Sequence, residues 1–257
     1  MKTTLILCLA AAFAAPASAA VRGELVDYEQ GGQALQGYLA YDDALKGPRP
    51  GILVVHEWWG FGPYVKRRAE ELAKLGYVAF AADMYGKGVH AATHEEAGKL
   101  MEPFQKDRVA MRARALAALD LLKKSSRVDA SKLAAMGYCF GGTTALELAR
   151  GEAPVRGVVS FHGGLTSPQA EKTVAVKAKV LAFVGGDDAH VMPGVPAFQD
   201  EMRKAGADWQ LVVYGGAVHS FTVPEAGNDP KTGMAYNADA DRRSWAAMRG
   251  FFEELFK

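Results

Sequence analysis

Short apolar runs recur along the chain: Gly51-Ile52-Leu53-Val54-Val55, Tyr77 to Ala81, Leu133 to Met136, Val155 to Val159, Val180 to Val184 and Leu211 to Val213. Most are apolar at every position rather than at alternate ones, the mark of strands covered on both faces, as in a parallel sheet. Between them the spacing changes to three and four. Val65, Ala69, Leu72 and Ala73 follow Gly62-Pro63 and share one helical face. Val109, Ala113, Leu116, Leu119 and Leu122 repeat the spacing, as do Trp245, Met248, Phe252 and Leu255 after a cap expected at Asp239. Ahead of the first buried run, Glu24 to Glu29 and Ala34 to Tyr41 flank Gly31-Gly32 and read as an antiparallel hairpin. A hairpin followed by alternating strands and helices predicts an α/β fold: a three-layer α/β/α sandwich with a mostly parallel sheet. Residues 86–106 are the least regular stretch and are expected to lie over a cleft as a lid.

The first twenty residues belong to a different pattern. Lys2 precedes an apolar stretch from Leu5 to Ala15, and Pro16-Ala17-Ser18-Ala19-Ala20 follows. This is the form of a secretory signal cleaved after Ala19, too short to span a bilayer. Residues 1–19 are therefore expected to be removed, leaving 20–257 as a single domain exported to the periplasm or the medium. Cleavage changes the meaning of the cysteine count. The chain has two cysteines, Cys8 and Cys139, and loss of Cys8 leaves one thiol without a disulfide partner. Charge adds an exclusion: 30 basic residues balance 29 acidic ones, so no broad field suits nucleic acid or an anionic membrane. The expected partner is a small molecule, with no membrane association after cleavage, and the chain is expected to be a monomer.

Chemistry concentrates around the remaining thiol. Leu133 to Gly142 and the following Thr143 to Leu148 read as strand, tight turn and helix, and Gly137-Tyr138-Cys139-Phe140-Gly141 has the spacing of a nucleophile elbow with sulfur as the nucleophile. A helix N-terminus favours the thiolate through its free N–H groups and dipole. A cysteine nucleophile needs a base, and the base an orienting acid. Asp188, in Gly185-Gly186-Asp187-Asp188 after an apolar strand, is the expected acid, with Asp187 in reserve; His219 follows the last strand and is the expected base. The loop His56-Glu57-Trp58-Trp59-Gly60 follows the first buried strand. It offers the Trp58 amide as an oxyanion donor beside that of Phe140. Glu57 there is a carboxylate expensive to desolvate without a role or a partner.

Taken together, these motifs resemble the dienelactone hydrolase family of the α/β-hydrolase fold. The resemblance spans His56 to Gly60, Ala82-Asp83-Met84-Tyr85, Gly137 to Gly142, the Gly-Gly-Asp-Asp turn, His219-Ser220-Phe221 and the tail around Ala235 to Trp245. It implies hydrolysis of a carboxylic ester or lactone by a Cys139–His219–Asp188 triad, without metal or cofactor. It further implies that Glu57 interacts with the thiol and helps form the thiolate. Family members bind a substrate carboxylate with two arginines; here the matching regions offer Lys87 and Thr222-Val223-Pro224. Lys87 is a point charge and Val223 is uncharged, so the mechanism transfers more fully than the dienelactone substrate. Trp58, Trp59, Tyr85, Tyr138 and Phe140 are expected to wall an aromatic cleft, with Lys87, Tyr85 and Trp59 touching substrate.

Other classes have less behind them. A thiol-redox protein lacks a Cys-x-x-Cys pair. A zinc pairing by His90 and His94, near Glu95 and Glu96, lacks the acid between its histidines; a polar lid helix explains those residues. A non-catalytic small-molecule-binding protein on the same fold would have no need of the apparent triad. His162, in Phe161-His162-Gly163-Gly164, edges the expected cleft without an assigned role.

Overall fold

A computed structural model describes residues 21–168 and 175–257; the expected signal sequence lies outside the described residues. The apolar runs form eight strands: β1 (Val21–Gln30), β2 (Gln33–Asp42), β3 (Arg49–Val55), β4 (Val78–Ala82), β5 (Val128–Tyr138), β6 (Gly157–Phe161), β7 (Lys179–Gly185) and β8 (Trp209–Tyr214). They make one sheet in the order β1-β2-β4-β3-β5-β6-β7-β8. β1 and β2 are the expected hairpin, and β2 pairs antiparallel with β4; the other neighbours are parallel.

Both faces of the sheet are covered, which is why its central strands are apolar throughout. In β3, Leu53 and Val55 pack into the layer formed with α3 (Arg108–Lys124), α4 (Phe140–Arg150) and α5 (Val195–Lys204). Ile52 and Val54 pack oppositely, with α1 (Pro63–Lys74) and α6 (Ala238–Leu255). These are the three layers that alternating strands and helices predict. β8 departs from the expected two-sided burial. It is the terminal strand of the sheet and Val213 is 45% exposed.

Two helical details also differ. The buried face of α3 is Met111, Ala115, Ala118, Leu119 and Leu122, and Val109 is exposed. An alanine-rich helix offers several faces with suitable spacing, and close packing against the sheet selects the one that adds Met111 to small residues. The cap of α6 is Asn237, whose side chain accepts from the Ala240 N–H, rather than Asp239. The expected lid is partly regular, since α2 (His94–Lys106) begins with a Thr93–Glu96 capping box.

The order reverses around β3, whose neighbours β4 and β5 lead in opposite directions across the sheet. In open α/β sheets a ligand crevice forms beyond the carboxyl ends of strands at such a switch point. Glu57, Cys139, His162, Asp188 and His219 follow β3, β5, β6, β7 and β8 respectively.

Candidate active site

The turn after β5 is built by close backbone approach. A Cβ at Gly137 would lie 2.2 Å from the Gly141 carbonyl carbon, and one at Gly141 would lie 2.1 Å from the Val55 oxygen. Glycine at both positions lets β5 meet α4 against β3. Cys139 caps α4 with φ 52° and ψ −113°, a left-handed conformation that costs a non-glycine residue of order 1–3 kcal/mol. His162 and Ser220 share the sign, at φ 41° and 57°. All three stand at the site, each just beyond the end of a strand or in the loop that follows it.

Asp188 is fully buried, and its Oδ2 lies 2.7 Å from His219 Nδ1. Its other oxygen accepts from the backbone N–H groups of His190 and Val191. Burial opposes ionisation of Asp188, but these hydrogen bonds prevail and hold its pKa below the usual value. Asp187 is exposed, and its backbone N–H donates to the Ala217 oxygen. Of the two aspartates, Asp188 is the one that meets His219. Burial also disfavours the His219 imidazolium, yet Cys139 and Asp188, by charge and hydrogen bonding, outweigh it and hold its pKa well above the ordinary value.

Phe140 opens α4, so its N–H lacks an intrahelical acceptor. The Trp58 N–H likewise meets no acceptor among the described residues. Both residues line a cavity of about 450 Å³ with Cys139 and His219. Met101 and Gln105 of α2 form another wall, which gives the expected lid its position.

Glu57 is buried, and desolvation raises its pKa to about 7 against opposing effects from His219 and the Ser220 hydroxyl. Ser220 Oγ donates to Glu57 Oε1 at 3.2 Å, and His162 Nδ1 lies 3.9 Å from the same oxygen. The carboxylate therefore has these two side chains as neighbours, and among the described residues the hydroxyl of Ser220 is its hydrogen-bond donor. The preceding His56 is locked by its backbone surroundings: Nε2 accepts from the Met84 N–H, so Nδ1 donates to the Glu57 carbonyl.

Several expected substrate contacts need correction. Lys87 is exposed and ion-paired with Asp27 of β1, away from the cavity wall, because the chain after β4 runs along the hairpin. Tyr85 sits behind the wall, donating its hydroxyl to the Trp58 oxygen and packing on Phe140. Trp59 packs edge-on against Trp58 and at a tilt against His94. Tyr138 points into the opposite layer against Phe161 and Tyr64, as strand alternation requires of the residue before Cys139. A guanidinium on the cavity wall is instead that of Arg108, at the start of α3. Among the described residues its Nε is buried without a hydrogen-bond partner, and Nη1 donates to the Met111 sulfur at 3.6 Å. Sequence reasoning missed it because no motif surrounds it; its place just ahead of the helical spacing that begins at Val109 was the available signal.

A family model described as the dienelactone hydrolase family matches residues 35–256. The crystal structure of P91, described as a dienelactone hydrolase-like promiscuous phosphotriesterase from metagenomic libraries, is 42% identical. It superposes with a TM-score of 0.88 over 93% of this chain and 100% of that one. Protein usf of Aquifex pyrophilus is 31% identical over 241 residues, covering 90% of this chain and 98% of its own. A candidate carboxymethylenebutenolidase of Aquifex aeolicus (strain VF5) is 30% identical over 246 residues, covering 91% and 100%.

Proposed function

This chain belongs to the dienelactone hydrolase family and is an ester or lactone hydrolase, and from that premise we propose that Cys139 is its nucleophile, with His219 and Asp188 completing a triad. The reading rests above all on the buried 2.7 Å pairing of His219 with Asp188 beside a cysteine held in a left-handed elbow. The Cys139 thiolate attacks the substrate carbonyl, and the resulting oxyanion takes hydrogen bonds from the Trp58 and Phe140 N–H groups. As the carbon–oxygen bond breaks, the His219 imidazolium protonates the leaving alkoxide, leaving an acyl thioester on Cys139. Neutral His219 then accepts a proton from water, which attacks the thioester; the acid departs and the thiolate returns. Glu57 is assigned the acceptor of the thiol proton when substrate binds. A carboxyl with a pKa of about 7 lies much nearer an ordinary thiol at about 8.5 than an unperturbed glutamate at about 4.3.

The substrate is a small molecule whose ester or lactone fits the cavity, and the phosphotriesterase description of P91 adds phosphotriesters to the panel worth testing. Export is part of the same proposal: removal of residues 1–19 is checked by the mass of protein recovered from the periplasm or medium. The central test is hydrolysis of an activated aryl ester and of a lactone by wild type and Cys139→Ala. Loss of turnover in a folded variant supports the reading, and a wild-type rate in it removes the thiol mechanism. The triad sets this apart from a binding protein on the same fold, for which ligand retention without turnover is the expected result.

A further inference from the structure

Behind the site, a line of polar side chains crosses the protein interior without serving any step above. It begins at Arg68 on α1, a guanidinium bonded to Glu71 and Asp241. Arg68 Nε donates to the Tyr64 hydroxyl at 3.2 Å. A guanidinium has no lone pair to offer, so the Tyr64 hydroxyl directs its own hydrogen elsewhere. Both available acceptors belong to Thr222, Oγ1 at 2.7 Å and the carbonyl at 3.2 Å; the carbonyl already accepts from Arg68 Nη2 at 3.0 Å, which leaves the nearer Oγ1 to the Tyr64 hydrogen. With Tyr64 donating to Oγ1, Thr222 turns its hydrogen to the remaining neighbour, His162 Nε2, at 2.8 Å.

This fixes the histidine. His162 is fully buried, and burial, with the nearby charges of His219 and Arg68, keeps its imidazole neutral. If Nε2 accepts, the ring hydrogen is on Nδ1. Among the described residues Nδ1 has no hydrogen-bond partner, and it stands 3.9 Å from Glu57 Oε1. On the same oxygen, Ser220 Oγ donates at 3.2 Å. Both side chains face the carboxylate from left-handed backbone positions, φ 41° at His162 and φ 57° at Ser220, the hydroxyl in hydrogen-bond contact and the imidazole one step further off. That is an expensive conformation for two non-glycine residues to share unless it aims them.

We propose that His162 is a positioning residue for Glu57: the Arg68–Tyr64–Thr222 chain holds its hydrogen on Nδ1, and this N–H, with the Ser220 hydroxyl, sets how readily Glu57 takes the proton from Cys139. The inference rests on the assignment of Glu57 as proton acceptor. The other charged or titratable groups facing Glu57 are His219 and Glu225 from the segment after β8, and Tyr64 from α1. The groups facing His162 are Glu57, His219, Arg68 and Tyr138. Donors stabilise the ionised carboxylate, so losing one raises the pH at which Glu57 gives up its own proton.

The test compares His162→Leu with His162→Asn, whose amide nitrogen replaces Nδ1 and which tolerates a left-handed backbone. In His162→Leu the acidic limb of kcat/KM moves up by about one pH unit, the size expected for a lost donor to a charged group, and the alkaline plateau keeps its height to within about threefold. His162→Asn restores the limb. Where His162→Leu fails to fold, Thr222→Val moves the limb and Thr222→Ser does not. The same shift is read without turnover from the pH at which stability diverges from that of the matched Glu57→Gln variant, so failure of the thiol mechanism in Cys139→Ala remains a separate result. A limb unmoved in both His162→Leu and Thr222→Val overturns the proposal, as does an equal shift in the Glu57→Gln background or in His162→Asn.

Discussion

Replacing Glu57 by Gln removes the carboxyl while keeping an oxygen for the Ser220 hydroxyl, which isolates the effect of ionising a buried acid. In the folded protein Glu57 titrates near pH 7, against an ordinary value of 4.5. Its pKa is raised, so between those limits the folded state binds more proton than the unfolded one, and stability falls as pH rises. The full span corresponds to about 3 kcal/mol at roughly 1.4 kcal/mol per pH unit. About 2 kcal/mol of this develops between pH 5 and pH 8. The raised pKa of His219 acts in the same direction, its contribution being fully present below the unfolded value and lost through the folded one. It is present in both proteins and cancels in the difference except for its charge coupling to Glu57. Urea denaturation of wild type and Glu57→Gln at pH 5, 6, 7 and 8 reads the gap. The variant gains on the wild type as pH rises, by about 2 kcal/mol across the series. Parallel curves would refute the reasoning, because they would mean that Glu57 is no harder to ionise in the fold than in the unfolded chain.

Asp188→Asn removes the anion that orients His219, and kcat for an aryl ester is expected to fall about 10²- to 10⁴-fold with the fold intact by circular dichroism. Gly141→Ala drives a Cβ into the Val55 backbone oxygen; a loss of at least about 3 kcal/mol in chemical denaturation is expected, since backbone cannot rotate aside as a side chain can. Arg108→Met removes a cation at the cavity wall. Arg112 and Arg150 beside it bond the carboxylates of Glu147 and Glu201, whereas Arg108 feels Glu147 through space and its Nη1 bonds a thioether. KM for a carboxylate-bearing lactone is expected to rise at least about tenfold, as for a lost charged hydrogen bond, while a neutral lactone stays within about twofold.

The central strands, the elbow and the order of Cys139, Asp188 and His219 were legible in the sequence because each is a local pattern. Periodicity exposes a strand buried on both faces, and flanking glycines expose a tight turn. What escaped depends on direction in three dimensions. Lys87 occupies the place of a familiar arginine but turns to Asp27, and Arg108 reaches the cavity from a helix with no motif. Tyr138 adjoins the nucleophile in sequence yet faces the other layer. His162 looked incidental because its meaning lies in Thr222, Tyr64 and Arg68, from two segments distant in sequence. In α3, spacing alone could not choose between two neighbouring faces; the sheet's demand for small residues did.

The left-handed trio of Cys139, His162 and Ser220 bears on how such a site can be moved between proteins. Copying its side chains onto another sheet would leave their aim undefined, since the direction of each is set by a backbone angle that ordinary strand ends do not adopt. The transferable unit is three chain reversals together with the glycines that let them nest, and the side chains come afterwards. A scaffold selected for unstrained geometry would reject those reversals first. For this site, then, the backbone conformation is part of the reagent.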